Sequence, residues 1–170
     1  NIKKLKKKLK TFKKNIHFLK IYLSKEKNFS LIKKFIKKNF NKIDGILNLI
    51  ANNPEVKKKN EFKSFFKTNL VSWSNDINIG LTSIMLVCKH LTPLIDKKGG
   101  SIVNLSSDLS VISPDHRLYN KNKILGSKPI SYSVIKHGLI GLTKYLSTYL
   151  ANKKIRVNSV SPGGIYKDQP

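Results

Sequence analysis

Apolar and polar positions follow two periods along this chain, and the switches between them mark out its elements. Ile2, Leu5, Leu9 and Phe12 recur at spacings of three and four, which predicts a short amphipathic helix with a lysine-covered outer face. Phe18 to Leu23 reads as a strand. Phe29, Ile32 and Ile36, joined by Leu31 and Phe35, return to the helical period and end near Phe40. Gly45 to Ile50 is a short apolar run of the kind that fills a buried parallel strand, and Asn52-Asn53-Pro54 breaks it. A helical region follows from about Phe62 to Ile95, interrupted near Asn78, and Gly99-Gly100 then turns the chain into a strand over Ser101 to Ser106. A loop spans Asp108 to Ile130. Ile135, Leu139, Leu142, Leu146 and Tyr149 then recur at four, three, four and three, which predicts a long helix, and Ile155 to Val160 reads as the last strand.

Strands that alternate with helices predict an α/β fold: a doubly wound parallel sheet covered on both faces. Ligands of such sheets bind beyond the carboxyl ends of the strands. The segments 48–53, Ser106-Ser107 and Ser161-Pro162-Gly163 all fall at strand ends on that one edge.

The 170 residues suit a single domain over 1–170. The formal charge of +25, from 34 basic and 9 acidic residues, raises nucleic acid or an anionic membrane as partners. Lysine, asparagine and isoleucine are abundant together and arginine is confined to Arg117 and Arg156, a pattern that adenine/thymine-rich codons produce by themselves. The lysines are spread over most predicted helices, so they read as solvated helix faces; neither nucleic acid nor membrane is expected as a partner. The lone Cys88, inside the run Ile84 to Cys88, rules out an internal disulfide and reads as a core thiol. His17, His90 and His137 show no ligand spacing, so no metal is expected. No apolar stretch approaches span length and no signal peptide is visible, which makes a cytoplasmic protein the default.

The chemistry concentrates in Tyr132-Ser133-Val134-Ile135-Lys136-His137-Gly138. A tyrosine four residues before a lysine puts both side chains on one helical face, where the ammonium can favour the tyrosinate needed for acid/base work. Chance is a rival, because Tyr119 precedes Lys123 and Tyr149 precedes Lys153 at the same spacing. Tyr119 lies in a loop bounded by Pro114, Gly126 and Pro129, and Tyr149 stands at a helix end. Only Tyr132 opens a long periodic helix.

With Ser106-Ser107 upstream and the segment Arg156 to Gly164 downstream, the chain from about Phe18 to Tyr166 resembles the short-chain dehydrogenase/reductases, a Rossmann-fold family that uses NAD or NADP. The resemblance implies that Ser107 orients the substrate oxygen, Tyr132 donates or accepts the proton, and Lys136 binds the nicotinamide ribose and lowers the tyrosine pKa. It implies that Asn78 positions a proton-relay water, where the plainer alternative is a purely structural helix kink. Asn48 corresponds to the first asparagine of the family's Asn-Asn-Ala-Gly motif, which supports sheet and cofactor, and Pro162, Gly163 and Ile165 correspond to the loop that braces the nicotinamide. The chemistry implied is hydride transfer, with the cofactor carrying the redox step and the protein placing groups and moving a proton.

Several positions depart from the pattern. Asn48-Leu49-Ile50-Ala51 keeps only the first residue of its motif, Tyr22 stands where an aspartate is usual near the adenine, and Lys167 stands where a threonine often contacts the carboxamide. None of the nine glycines forms the family's glycine-rich phosphate loop. The first strand-helix-strand unit is absent, so the Rossmann-like sheet is expected to be incomplete and the chain to be a fragment of a longer protein, poorly folded and unable to bind the dinucleotide alone. The long insertion Pro114 to Tyr119 and Lys128-Pro129, with Pro162-Gly163-Gly164-Ile165-Tyr166, resembles the oxidoreductases of flagellin-modification and surface-glycan pathways. That implies a small-molecule substrate, a sugar or sugar nucleotide, and would let His116 and Arg117 grip a phosphate or hydroxyl, against the alternative of two surface residues. The competing readings are a 3-oxoacyl-carrier-protein reductase, a decayed homologue, and a non-catalytic binder of nucleic acid or membrane. Gly138 and Gly141 allow close approach on the Tyr132 helix, and a homo-oligomer, dimer or tetramer, is expected.

Overall fold

The computed structural model describes residues 16–50, 65–117 and 129–164. The predicted helix over Ile2 to Phe12, the break at Asn52-Asn53-Pro54, the Tyr119–Lys123 pair and Ile165 lie outside them. Three strands, β1 (Gly45–Asn48), β2 (Gly100–Leu105) and β3 (Ile155–Val160), form one parallel sheet in the order β1-β2-β3. Asn48 pairs in register with Asn104, and Leu105 with Val160, so the carboxyl ends of all three strands share one edge.

Among the described residues, four α-helices and a π turn accompany the sheet, with short 3-10 turns between elements. Helix α1 (Phe29–Asn39) buries Phe29, Ile32 and Ile36, the stripe that its spacing predicts. Helix α2 (Leu70–Ile77) is capped by the Asn69 side chain, which accepts from Val71 N and Ser72 N. It passes into a π turn over Asn78–Thr82, which continues as α3 (Ser83–Leu91). The interruption expected near Asn78 is therefore one wide turn inside a continuous helix, a form that often marks functional sites. Helix α4 (Ile130–Tyr149) follows Pro129, and Lys154, in the left-handed region at φ 58°, turns the chain into β3.

Ile84 and Cys88 of α3, Ile135 and Leu139 of α4, and Ile102, Ile155 and Val157 of the sheet form one core. Phe29, Ile32 and Ile36 of α1 meet Leu86 and Val87 in a second. Each fully buried aliphatic here contributes about 1.5–3 kcal/mol. The π turn and α4 interlock through their glycines. A Cβ on Gly80 would stand 2.9 Å from the Ile135 side chain, and one on Gly138 would stand 2.9 Å from Leu81 Cδ2. Gly138 thus serves contact within the chain, whereas Gly141 has nothing within 4 Å.

Two expectations need correction. Phe18 to Leu23 is not a strand. No neighbouring strand among the described residues offers it a ladder, and instead Ile21 and Leu23 pack on the α1 core while Asn28 Nδ2 donates to Tyr22 O at 2.8 Å. In the described part of the doubly wound sheet, the helices lie on one face. The connections β1–β2 and β2–β3 step across the sheet in the same direction, and right-handed crossovers then put their helices on the same side. The other face carries Leu47 at 61% and Val160 at 50% exposure, beside exposed Arg156 and Asn158. Finally, the helical run Leu70–Leu94 is, at 25 residues, long and apolar enough to cross a membrane. Its buried positions Ile84, Leu86, Val87 and Cys88 belong to both cores, the placement of a core helix.

Candidate active site

The site is built where β2 leaves the sheet. Ser106 N continues the ladder to Val160 O at 2.7 Å, and the buried Ser106 hydroxyl donates to Lys136 O at 2.9 Å, which binds the strand end to the middle of α4. One residue earlier, Leu105 O accepts from Lys136 Nζ at 2.8 Å. The Lys136 side chain therefore runs inward: the residue is 3% exposed, burial lowers its pKa, and its ammonium lies 5.6 Å from the centre of the Tyr132 ring. Tyr132 and Lys136 do share one helical face. Tyr132 is half-buried in the first turn of α4, which Tyr132 N to Pro129 O (2.9 Å) and Ser131 Oγ to Asp76 Oδ2 (2.7 Å) hold against α2.

Ser107 is buried at 7% exposure and caps the tight turn Asp108–Ser110, which packs on α4. Its hydroxyl donates to Asp108 Oδ1 at 2.7 Å. Asp108 N donates to Pro162 O at 3.0 Å, and the Ser110 and Ser161 hydroxyls lie 3.2 Å apart, so the Ser107 turn and the Pro162-Gly163 segment are joined. Exposed Gly163 is nearly open on the side where a Cβ would lie: the nearest atom is Asp108 Oδ2 at 3.9 Å.

Asn48 is buried below this edge and donates through Nδ2 to Asn104 Oδ1 at 2.8 Å. Asn104 Nδ2 donates to Thr143 Oγ1 at 2.9 Å, and that hydroxyl donates to Leu139 O at 2.7 Å. A buried polar column thus ties β1, β2 and α4 together. Cys88 Sγ stands 3.7 Å from Asn48 Nδ2, and burial pushes the thiol up to about 11.

The remaining candidates sit further out. Asn78 opens the π turn with an exposed side chain, and its carbonyl accepts from Ser83 Oγ at 2.8 Å. Arg117 is exposed and forks onto Asp115, with Nε–Oδ1 and Nη2–Oδ2 both at 2.9 Å; this raises the pKa of Arg117 and lowers that of Asp115. His116 is exposed beside it. Tyr149 is exposed and stacks on Tyr145, with Lys153 beyond the helix end, which separates that pair from the site.

Residue patterns pointed to Ser106-Ser107, Tyr132 and Lys136 but not to their hydrogen-bonded neighbours Asn104, Asp108 and Thr143. For Thr143 a signal existed: it lies eleven and seven residues after Tyr132 and Lys136, on the same helical face, a polar residue in a buried stripe.

The chain belongs to the short-chain dehydrogenase/reductase family. A family model described as enoyl-(acyl carrier protein) reductase matches residues 1–169. Among curated relatives, a 3-oxoacyl-[acyl-carrier-protein] reductase of Aquifex aeolicus is 31% identical over 138 residues, covering 81% of this chain and 49% of that protein. Post-translational flagellin modification protein A of Campylobacter coli is 28% identical over 159 residues, covering 93% of this chain and 60% of that protein. Among solved structures, a short-chain dehydrogenase of Leptospira borgpetersenii with bound NAD+ superposes at a TM-score of 0.75 with 26% identity, covering 89% of this chain and 55% of that one. An NADPH-bound ElxO variant has the same fold, with a TM-score of 0.76 at 22% identity, covering 98% of this chain and 60% of that one. The chain spans about half the length of the relatives it matches.

Proposed function

We propose that the protein is an NAD(P)-dependent oxidoreductase that moves hydride between a nicotinamide and a carbonyl or hydroxyl carbon. The observation that carries this reading is the convergence at the carboxyl end of β2. There Lys136 Nζ is 2.8 Å from Leu105 O and 5.6 Å from the Tyr132 ring centre, one residue from the Ser106-Ser107 turn.

The nicotinamide end of the cofactor fits this edge. Gly163 leaves open space for a flat ring, the buried Lys136 ammonium suits ribose hydroxyls, and Asn48 supports the strand end beneath. Pro162, with Ile165 beyond the described residues, would complete the brace. None of the nine glycines clusters into a pyrophosphate cradle, so that end finds no such holder in this chain.

When bound, the nicotinamide supplies or takes the hydride. Ser107 orients the substrate oxygen, and Tyr132 gives or takes the proton there. Lys136 keeps a desolvated positive charge beside the phenol. Asn78, at the opening of the π turn, orders a water that passes the proton to solvent.

The substrate we propose is a sugar or sugar nucleotide of surface-glycan biosynthesis, which the likeness to flagellin modification protein A along 93% of the chain supports. Arg117 and His116 would then meet its phosphate or hydroxyls once the Asp115 fork opens. A second reading, 3-oxoacyl-carrier-protein reduction, is supported by the 31% identical Aquifex relative and by a charge of +25 facing an acidic carrier. Assembly as a homo-oligomer through α4 is supported by the open surface at Gly141 and exposed Val134 and Tyr145.

The test is NADH and NADPH oxidation by the full-length protein, with a UDP-linked keto sugar and the acetoacetyl thioester of N-acetylcysteamine as probes. Tyr132→Phe is expected to lose about 100-fold or more in turnover while still binding the dinucleotide. A wild-type protein inert with both dinucleotides and both probes overturns the reading, and salt-sensitive DNA retention in its place supports the non-catalytic one.

A further inference from the structure

Asp108 stands in the site without a cation. Lys42, Lys89 and Arg117 pair with Asp96, Glu26 and Asp115, whereas no basic side chain among the described residues pairs with Asp108. In a chain of charge +25, this half-buried carboxylate is kept clear of the most abundant partner. Its donors are a hydroxyl and an amide. Ser107 Oγ donates to Oδ1 at 2.7 Å, and Leu109 N donates to the same oxygen at 2.8 Å. No donor among the described residues bonds Oδ2, which is the nearest atom, at 3.9 Å, to the open side of Gly163. The backbone fixes this placement, because Asp108 N donates to Pro162 O at 3.0 Å and the turn packs on α4. The carboxylate therefore lies between the Ser107 hydroxyl and the side of Gly163 that is open to a nicotinamide.

We propose that Asp108 selects substrates that carry a second hydrogen-bond donor, a hydroxyl or an amine, on the carbon next to the reacting one. This rests on the oxidoreductase reading. Ser107 Oγ and Asp108 Oδ1 are one hydrogen-bond length apart, about the spacing of two oxygens on neighbouring carbons, so the two side chains can meet such a pair together. Before substrate binds, the Ser107 proton rests on the carboxylate. The neighbouring donor of the substrate takes its place on Asp108, where Oδ2 is open to it, and the Ser107 hydroxyl turns to donate to the reacting oxygen. Leu109 N holds Oδ1 throughout. The neighbouring group keeps its proton, and the proton that moves is the one exchanged between Tyr132 and the reacting oxygen. A substrate with only hydrogen at that neighbouring carbon must draw the Ser107 proton from a carboxylate with nothing to replace it. A charge-assisted bond of that kind is about twice as strong as a neutral one. Sugars carry the neighbouring donor; a 3-oxoacyl thioester, with only hydrogen on the carbons beside its ketone, does not.

The experiment measures kcat/KM of the full-length protein on three UDP-linked 4-keto sugars that differ only at carbon 3, which bears a hydroxyl, an amine or only hydrogen. Wild type is expected to favour the hydroxyl and the amine over the hydrogen-only sugar by about tenfold or more. Asp108→Ala is expected to bring both ratios close to one, with the hydrogen-only sugar turned over at least as well as by wild type. Asp108→Asn, which keeps an uncharged acceptor, is expected to retain part of the hydroxyl ratio and less of the amine ratio. A residue that only shapes the turn would lower all three values together and leave the ratios standing. Ratios unchanged by Asp108→Ala, or ratios of one in wild type, overturn the proposal. A wild type active on the acetoacetyl thioester of N-acetylcysteamine alone also overturns it and leaves the oxidoreductase reading in place, whereas a wild type inert with every probe removes both.

Discussion

Lys136 and Cys88 show how burial sets chemistry at single residues. Both groups are taken out of water, and in each the neutral form gains: the ammonium pKa falls and the thiol pKa rises to about 11. For Cys88 the consequence is a stability slope. Between about pH 9 and 11 the unfolded thiol has lost its proton while the native one keeps it. The native state then binds more protons, and stability contributed below pH 9 is lost as pH rises through this window. Cys88→Ala should therefore flatten the fall in urea midpoint between pH 9 and 11, and an unaltered slope would show that another group governs it. The Tyr132–Lys136 pair was legible from spacing because a helix places i and i+4 together whatever surrounds it. The contact between Ser107 and Asp108 was not, because the next residue in a chain can face anywhere until the turn is formed.

At the scale of elements, the polar column Asn48–Asn104–Thr143 decides how α4 sits on the sheet. It fixes α4 against β2 two turns beyond Lys136, while Ser106 and the Lys136 ammonium fix the next contacts along the strand. Asn104 is fully buried, so Asn104→Ala leaves polar partners without bonds; unmet buried groups cost about 1–3 kcal/mol each. We expect a lower urea midpoint at unchanged m, with Thr143→Val milder because, of its two bonds, only the one from Asn104 leaves a buried donor unmet, while Leu139 O keeps its helical partner. Equal stability of Asn104→Ala and wild type would mean that water replaces the amide. Helices α1, α3 and α4 and strands β1 to β3 were readable because each carries an apolar period of its own. The Phe18–Leu23 strand misled because a strand is defined by a partner, which local pattern does not contain. The π turn was legible only as an interruption; its interlocking with α4 depends on Gly80 meeting Ile135 and Gly138 meeting Leu81.

At the scale of the molecule, the described sheet has one covered face and two outer strands, β1 and β3, each paired on one side only. Leu47 and Val160 face outward from them. Open edges and an apolar sheet face invite pairing between copies. The isolated 170-residue chain is expected to self-associate and to bind neither NADH nor NADPH tightly. A monodisperse chain with tight dinucleotide affinity, by light scattering and fluorescence titration, would refute this. The +25 charge opposes such association at low salt, so the tendency should strengthen as salt screens it.

Sequence by itself determined the order and type of the main elements, the parallel sense of the sheet and the placing of Tyr132 and Lys136 on one helical face. These follow from periodicities of two and 3.6 and from spacings of a few residues, which the backbone imposes locally. Tertiary structure alone decided which sheet face is covered, since that depends on the direction in which successive crossovers step. It alone brought Asn48 to Asn104 across 56 positions and Asn104 to Thr143 across 39. It also turned the Ser107 proton toward Asp108, because the hydroxyl of a buried serine goes to the strongest acceptor that folding places within reach.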